Sequence, residues 1–456
     1  MNLTSNELLR LLLAIGAVSA YGLMCLLIAR RETAKRRVET QFAGDAHAAP
    51  PAWRIAYASQ TGTAEEIARL TADTFRLAGV RVLLTAMSAL DDAALVSSER
   101  ILFIVSTYGE GDPPDNAALF AQRQMSRILP LGHLHYAALI LGDRSYTHFC
   151  GFGQQLNSWL NAQGARALFP FIEVDRCDSA SMNAWYQQLS HLAGTDDAPD
   201  WQGPTFTAWR LAARAHLNPG SQGNDIFHLE FEPAGETSLP DWESGDLAQI
   251  QAPTDVHPRE YSIASIPRDG RVHLLVRLHR HMDGTYGAAS GWLTQALHVG
   301  DNVPLRIRQH ERFRLGENAA RPLILIGNGS GISGLRGHLK ARVEAKSGPN
   351  WLLFGERNSA CDFHYRAELE TWLENGALDK LDVVFSRDKP ERRYVQDRIL
   401  EASCALQDWI NQGAAIYVCG SLKGMAGGVD DALAAILSRS TLDELSSTGR
   451  YRRDVY

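Results

Sequence analysis

Cysteine is scarce in this chain of 456 residues: six in all, Cys25, Cys150, Cys177, Cys361, Cys404 and Cys419, with no C-x-x-C pair. That spacing argues against a disulfide framework or a thiolate zinc site and suits free thiols in a reducing compartment. No metal site is expected. An excess of positive charge is missing as well. The 45 Lys and Arg against 52 Asp and Glu leave a net charge of −7, which argues against nucleic acid as a partner, since such binders carry basic stripes. Short-period repeats and low-complexity tracts are absent. Long hydrophobic runs are absent too, with one exception, the nineteen uncharged residues from Leu11 to Ala29. As a helix that run would measure about 28 Å, close to the roughly 30 Å of a hydrocarbon core. Arg30, Arg31, Lys35, Arg36 and Arg37 follow it at once. The asymmetry predicts a transmembrane anchor over residues 1–30, a single-pass membrane protein with its remaining chain in the cytoplasm, at the inner membrane in a bacterium. A cleaved signal peptide fits less well, because only Arg10 precedes the run and no small-x-small site stands before the arginines.

What remains is ordered. Residues 31–51 read as a linker, charged and then small and proline-containing. From residue 52 to 194, apolar strands such as RIAYAS and ILFIVST alternate with helical patterns such as AEEIARLTADTFRLAG, which predicts a parallel sheet covered on both faces. A second linker occupies 195–204. Over 205–317 the runs IFHLEFEP, LAQIQAP, YSIASIP, VHLLVRLH and VPLRIR predict an antiparallel barrel. Over 318–456 the α/β alternation returns through PLILIG, NWLLFG, LDVVFS and AIYVCG, with a last helix expected to end near Ser438.

Three strand ends of the first unit carry polar loops. Ser59-Gln60-Thr61-Gly62-Thr63 opens a helix and offers hydroxyls, backbone N–H groups and the helix dipole to a phosphate. Thr107-Tyr108-Gly109-Glu110-Gly111 and Leu141-Gly142-Asp143-Arg144-Ser145-Tyr146 follow at the same sheet edge, where doubly wound folds bind ligands. Each adds a tyrosine able to stack on a flat ring. In the last unit, Gly327-Asn328-Gly329-Ser330-Gly331 follows an apolar strand and opens a helix, as a pyrophosphate loop does.

YASQTGTAEEIA, STYGEGDPPDNA and LGDRSYTHFCGFG resemble the FMN-binding flavodoxin domain of the NADPH-dependent diflavin reductases. That family includes the sulfite reductase flavoprotein and the microsomal NADPH–cytochrome reductase, and the resemblance continues in order over roughly 52–456. It implies a flavodoxin-like domain over 52–194 and a ferredoxin-NADP reductase-like module made of an FAD-binding barrel and an NADPH-binding α/β domain. The implied FMN residues are Ser59, Gln60, Thr61, Gly62, Thr63, Thr107, Tyr108, Gly109, Gly111, Leu141, Gly142, Asp143, Tyr146 and Phe149. For FAD, Arg259 would meet the pyrophosphate, Tyr261 the flavin and Ser262 its N5, with Gly287, Ala288, Ala289 and Ser290 as a second pyrophosphate loop. For NADPH, Gly329, Ser330 and Gly331 form the loop, while Ser386, Arg387, Arg392, Tyr394 and Gln396 match the family's 2′-phosphate pocket. Two arginines and a serine suit a phosphomonoester. Ser262, Cys419 and Asp454 would surround hydride transfer, and Tyr456 would stack on the FAD ring and move aside for the nicotinamide.

Two departures stand out. Only twelve residues separate the expected strand carrying Glu243-Ser244-Gly245-Asp246 from Arg259, where the family inserts a long helical connecting segment. Asn328 and Gly334 stand where the family has proline, which predicts a looser loop. The function implied is electron flow from NADPH through FAD to FMN and on to a one-electron acceptor protein, a haem or iron centre at the membrane. Glu110, Asp112, Asp115 and Asp143 would form an acidic rim facing that acceptor. A sulfite reductase flavoprotein subunit and a non-catalytic membrane flavin sensor are the alternatives.

Overall fold

The run Ile101–Val105 is apolar from end to end, which suits a strand buried on both faces. In the computed structural model, which describes residues 53–193, 205–235, 238–253, 258–281 and 283–456, it is the central strand of a parallel sheet. Strands β1 (Trp53–Ala58), β2 (Val82–Ala86), β3 (Arg100–Ser106), β4 (His135–Gly142) and β5 (Arg166–Ala167) lie in the order β2-β1-β3-β4-β5, and β6 (Ile172–Asp175) also pairs with β4. Leu102 and Ile104 pack with Ile67, Phe75, Trp185 and Leu189 of helices Thr63–Leu77 and Ser179–Ala193. Phe103 and Val105 pack on the opposite side with Phe120, Phe152 and Leu156 of helices Asp115–Arg123 and Gly151–Ala162. The order reverses between β1 and β3, so the loops after those strands diverge and leave a crevice.

The middle of the chain forms six antiparallel strands, β7 (Thr207–His216), β8 (Ile226–Pro233), β9 (Leu247–Ile250), β10 (Arg259–Ser262), β11 (Val272–Arg277) and β12 (Asn302–Arg308), in the order β10-β9-β12-β7-β8-β11. The two ends meet through an Ile263–Leu274 bridge, where the Ala264 amide donates to the His273 carbonyl at 2.8 Å, so the sheet closes on itself. Alternation sorts the faces: Leu229 and Phe231 of β8 fill the interior, while His228, Glu230 and Glu232 are only partly covered. The last unit is parallel again. Strands β13 (Leu323–Asn328), β14 (Asn350–Glu356), β15 (Lys380–Phe385), β16 (Ala415–Gly420) and β17 (Tyr451–Val455) lie in the order β15-β14-β13-β16-β17. Its crevice falls between β13 and β16.

Several expectations need correction. Membrane localisation is the first: among the described residues no helix is long and apolar enough to cross a membrane. The longest, Thr63–Leu77 and Ser179–Ala193, have 15 residues each, about 22 Å of rise, and turn their apolar sides to the sheet. The run from Leu11 to Ala29, the linker over 31–51 and the linker over 195–204 all lie outside the described residues. Residues 243–246 are a turn ahead of β9 and not a strand, because Gly245 takes φ +99. Helix Gly427–Leu437 does end at Ser438, but a further helix, Arg439–Ser447, begins there, its first turn capped by the Ser438 hydroxyl accepting from the Thr441 amide.

Candidate active site

The three loops of the first sheet are bound to one another by their own side chains. The Ser59 hydroxyl accepts from the Gly62 and Ala64 amides at 2.8 and 3.2 Å, which winds the loop around itself. Gly62 sits at φ +96, where a side chain would be strained. Asn116 accepts from the Ser59 amide at 3.0 Å, and Gln60 exchanges two hydrogen bonds with Asp115. Thr61 and Thr63 lie in the same turn. On the second loop Gly109 and Gly111 take positive φ, and the Thr107 hydroxyl is buried without a protein partner. A buried orphan hydroxyl beside a ring of amides is what a phosphorylated ligand would satisfy. On the third, Leu141 and Gly142 end β4, Asp143 accepts from the Ser145 amide at 2.8 Å, and Arg144 lies 4.1 Å over the Phe149 ring. Tyr146 is partly exposed. Tyr108, by contrast, donates its hydroxyl to the Val455 carbonyl at 3.2 Å.

The other expected centre draws on three distant segments. Ser262 at the end of β10 donates to Asp454 Oδ2 at 2.8 Å, and Cys419 Sγ lies 3.8 Å from the same oxygen. Parallel pairing of β16 with β17 sets Cys419 directly beside Asp454. Burial first, and the Asp454 charge second, push the Cys419 thiol far up, so it keeps its proton and donates. Ser333 holds the Ser262 carbonyl at 2.6 Å. A cavity of ≈ 350 Å³ opens in front, with Tyr261, Ser262, Arg277, Ser330, Asp454 and Tyr456 among its walls. Thr61 of the first phosphate-type loop is a wall of the same cavity. Tyr456 reaches over the glycine loop, its hydroxyl 3.2 Å from Ser330 Oγ.

That loop is pinned, not loose. Asn328 accepts from the Ser421 amide at 2.9 Å, and a Cβ at Gly334 would press on Phe313, Cys419 and Ser262 at 3.2–3.4 Å. Gly329 and Gly331 leave no room either: a Cβ would collide with Arg277 Nη2 and with the Cys419 carbonyl, respectively. Other expected residues lie further out. Arg259 is exposed at the start of β10; Gly287 caps, and Ala288, Ala289 and Ser290 open, a four-residue helix that is not among the cavity's walls, with Ser290 Oγ accepting from the His279 amide. Ser386 is buried at the end of β15, Arg387, Arg392 and Tyr394 are exposed on the loop that follows, and Gln396 packs near Gly428.

Sequence reasoning missed the residues that join the two halves. Arg453 pairs with Asp115, Nε to Oδ2 at 3.1 Å, and Arg69–Glu311, Arg306–Glu66 and Arg312–Glu65 follow at 3.3, 3.5 and 3.9 Å. Arg308, nearly fully buried, bonds both the Thr61 carbonyl and Glu260. Asp115 therefore faces the rest of the chain and leaves the acidic rim, while Asp112 remains exposed. Arg453→Glu is expected to turn a favourable pair of about 1 kcal/mol into a repulsion. Small-angle scattering should then show a larger radius of gyration in low salt, and an unchanged radius would show that the pair holds nothing.

Residues 55–185 match the flavodoxin family, and residues 325–431 match the oxidoreductase NAD-binding domain family. The sulfite reductase (NADPH) flavoprotein alpha-component of Vibrio vulnificus is 29% identical over 547 positions, covering 90% of this chain and 88% of that protein. Those of Aliivibrio fischeri and Bacillus subtilis are each 26% identical over 88% of this chain and 89% of theirs. The aligned spans exceed this chain's whole length, so these relatives carry segments with no counterpart here.

Proposed function

We propose that this chain, which belongs to the NADPH-dependent diflavin reductases, takes hydride from NADPH beside Ser262, Cys419 and Asp454 and releases electrons singly to a haem or other metal-centre protein. When bound, FAD accepts the electron pair and FMN dispenses it one electron at a time. The chain's residues do the positioning. On this reading 52–194 holds FMN, 205–317 holds FAD and 318–456 holds NADPH. Asp454, held by the Ser262 hydroxyl and the Cys419 thiol, places a fixed negative charge where the nicotinamide becomes cationic. Tyr456 covers the cavity and excludes water until the nucleotide displaces it.

One observation carries the reading: Ser262 of β10 and Cys419 of β16 converge on the Asp454 carboxylate of β17, at a cavity that a loop of the flavodoxin-like unit also lines. Flavin quantification followed by anaerobic titration with NADPH or NADH tests it. One FMN and one FAD per chain, both bleached by NADPH much faster than by NADH, are expected. Flavin that is bound but reduced by neither nucleotide would sink it and favour the sensor. The relatives' names support a second reading, a flavoprotein component of a sulfite reductase. NADPH oxidation that becomes sulfite-dependent on adding the remaining component of such an enzyme would favour it.

The loop after β15 sets the nucleotide preference. Replacing Arg387 and Arg392 together by alanine is expected to raise the KM for NADPH about a hundred-fold, from two lost charge-assisted contacts of about 1.5 kcal/mol each. The KM for NADH should stay where it is. Steady-state kinetics with both nucleotides decides the matter, and an equal loss for both would place the 2′-phosphate elsewhere.

A further inference from the structure

On the outer face of the barrel, two residues along β11 from the cavity wall at Leu275, two histidines and a glutamate meet. His228 and Glu230 are two apart on β8 and so point the same way. His273 on β11 stands directly opposite Glu230 in the antiparallel register. One ligand atom from each of the three lies within 4.8 Å of the other two, and His228 Nε2 is 3.5 Å from Glu230 Oε1. That separation is close to the roughly 3.4 Å between neighbouring ligand atoms around a tetrahedral Zn²⁺ with bonds of about 2.0–2.2 Å.

The surroundings leave these atoms short of donors. His228 Nδ1 is 2.7 Å from the Tyr365 hydroxyl. With Nδ1 on that hydroxyl, Nε2 is the ring atom that faces Glu230 Oε1. Arg271 Nη1 already holds the other oxygen, Glu230 Oε2, at 2.8 Å. Nδ1 of His273 is buried with no partner.

We infer that His228, Glu230 and His273 form a three-ligand site for a divalent first-row cation, with zinc the best match to two imidazoles and one carboxylate. Tyr365 fixes the His228 ring from the nucleotide-binding unit, as an outer-shell partner does, so an ion on β8 and β11 also ties the barrel to that unit. The guanidinium of Arg336, stacked 4.4 Å over Tyr365 and paired with Glu368 at 3.0 Å, opposes a dication. Affinity in the micromolar range is therefore expected, weaker than a closed structural zinc site.

The test uses the untagged, flavin-loaded chain, stripped of metal by a chelator and dialysed against ZnCl₂ with metal analysis of both sides. About one Zn²⁺ per chain is expected, and His273→Ala and Glu230→Gln should each weaken binding at least ten-fold, with Tyr365→Phe weakening it less. Flavin content and NADPH oxidation, which none of these residues touches, should be unchanged in the variants and report that they fold. The Glu230→Gln change keeps the side-chain volume if His273→Ala disturbs packing. Less than one-tenth of an equivalent bound at saturating zinc, or zinc bound equally by wild type and both ligand variants, would overturn the site.

Discussion

Changing Asp454 to alanine is expected to slow NADPH-driven reduction of the bound flavin by about 10²–10³-fold, the usual cost of removing one preorganised charge or donor at a reacting centre. The carboxylate is almost fully buried and takes the Ser262 hydroxyl at 2.8 Å, with the Cys419 thiol at 3.8 Å. Both neighbours survive the substitution, but they lose the group that orients them. Flavin content should therefore hold while the rate falls. Anaerobic stopped-flow absorbance of the flavin reads the rate directly, and a variant as fast as wild type would remove Asp454 from the reaction. Ser262→Ala acts through the same carboxylate, so the double variant should be slower than either single one by far less than the product of their effects.

The second large effect lies outside the site. Asp246 is fully buried and accepts from Arg314 Nε and Nη2 at 2.7 and 2.8 Å, from the His310 amide at 2.9 Å and from the Glu243 amide at 3.0 Å. Those hydrogen bonds anchor the turn before β9 to the segment after β12. Asp246→Ala leaves Arg314 Nε and Nη2 and two amides without their acceptor, with only Nη1 still held by Glu243 at 2.7 Å, a loss of about 3–5 kcal/mol for one half of a buried pair. Thermal unfolding followed by flavin fluorescence should show the transition moved down by many degrees. Asp246→Asn keeps half of the acceptors and should fall between. A midpoint shift of only a degree or two in the alanine variant would mean that Arg314 finds another partner.

Much of this was legible in the residues, and the reasons differ by element. β3 and β13 are apolar over Ile101–Val105 and Leu323–Ile326, so their place at the centre of parallel sheets followed from burial on both faces. The loops at 59–63 and 329–331 were readable because hydroxyls and glycines after a strand have few other uses. β17 was not, since YRRDV shows no alternation and only its pairing with β16 explains it. β7 was passed over for a similar reason: TAWRLAARAH mixes arginine into both faces, and its register shifts between Leu211 and Ala213. Asp246 looked like an ordinary turn acid because its partner, Arg314, is 68 residues away. Asp115 was misplaced in the acidic rim because its partner, Arg453, lies in the strand that the pattern hid.

That strand joins two events. Neighbouring residues of a strand point to opposite sides, so Arg453 reaches Asp115 of the flavodoxin-like unit while Asp454 faces Ser262 and Cys419. A shift of β17 of even a few tenths of an ångström alters both contacts together. Thermodynamic reciprocity then fixes a relation between them: by whatever factor seating of the flavodoxin-like unit strengthens or weakens nucleotide binding, bound nucleotide must strengthen or weaken that seating by the same factor. Both contacts are thus carried on one five-residue strand, so any coupling between the two sites has the shortest possible path.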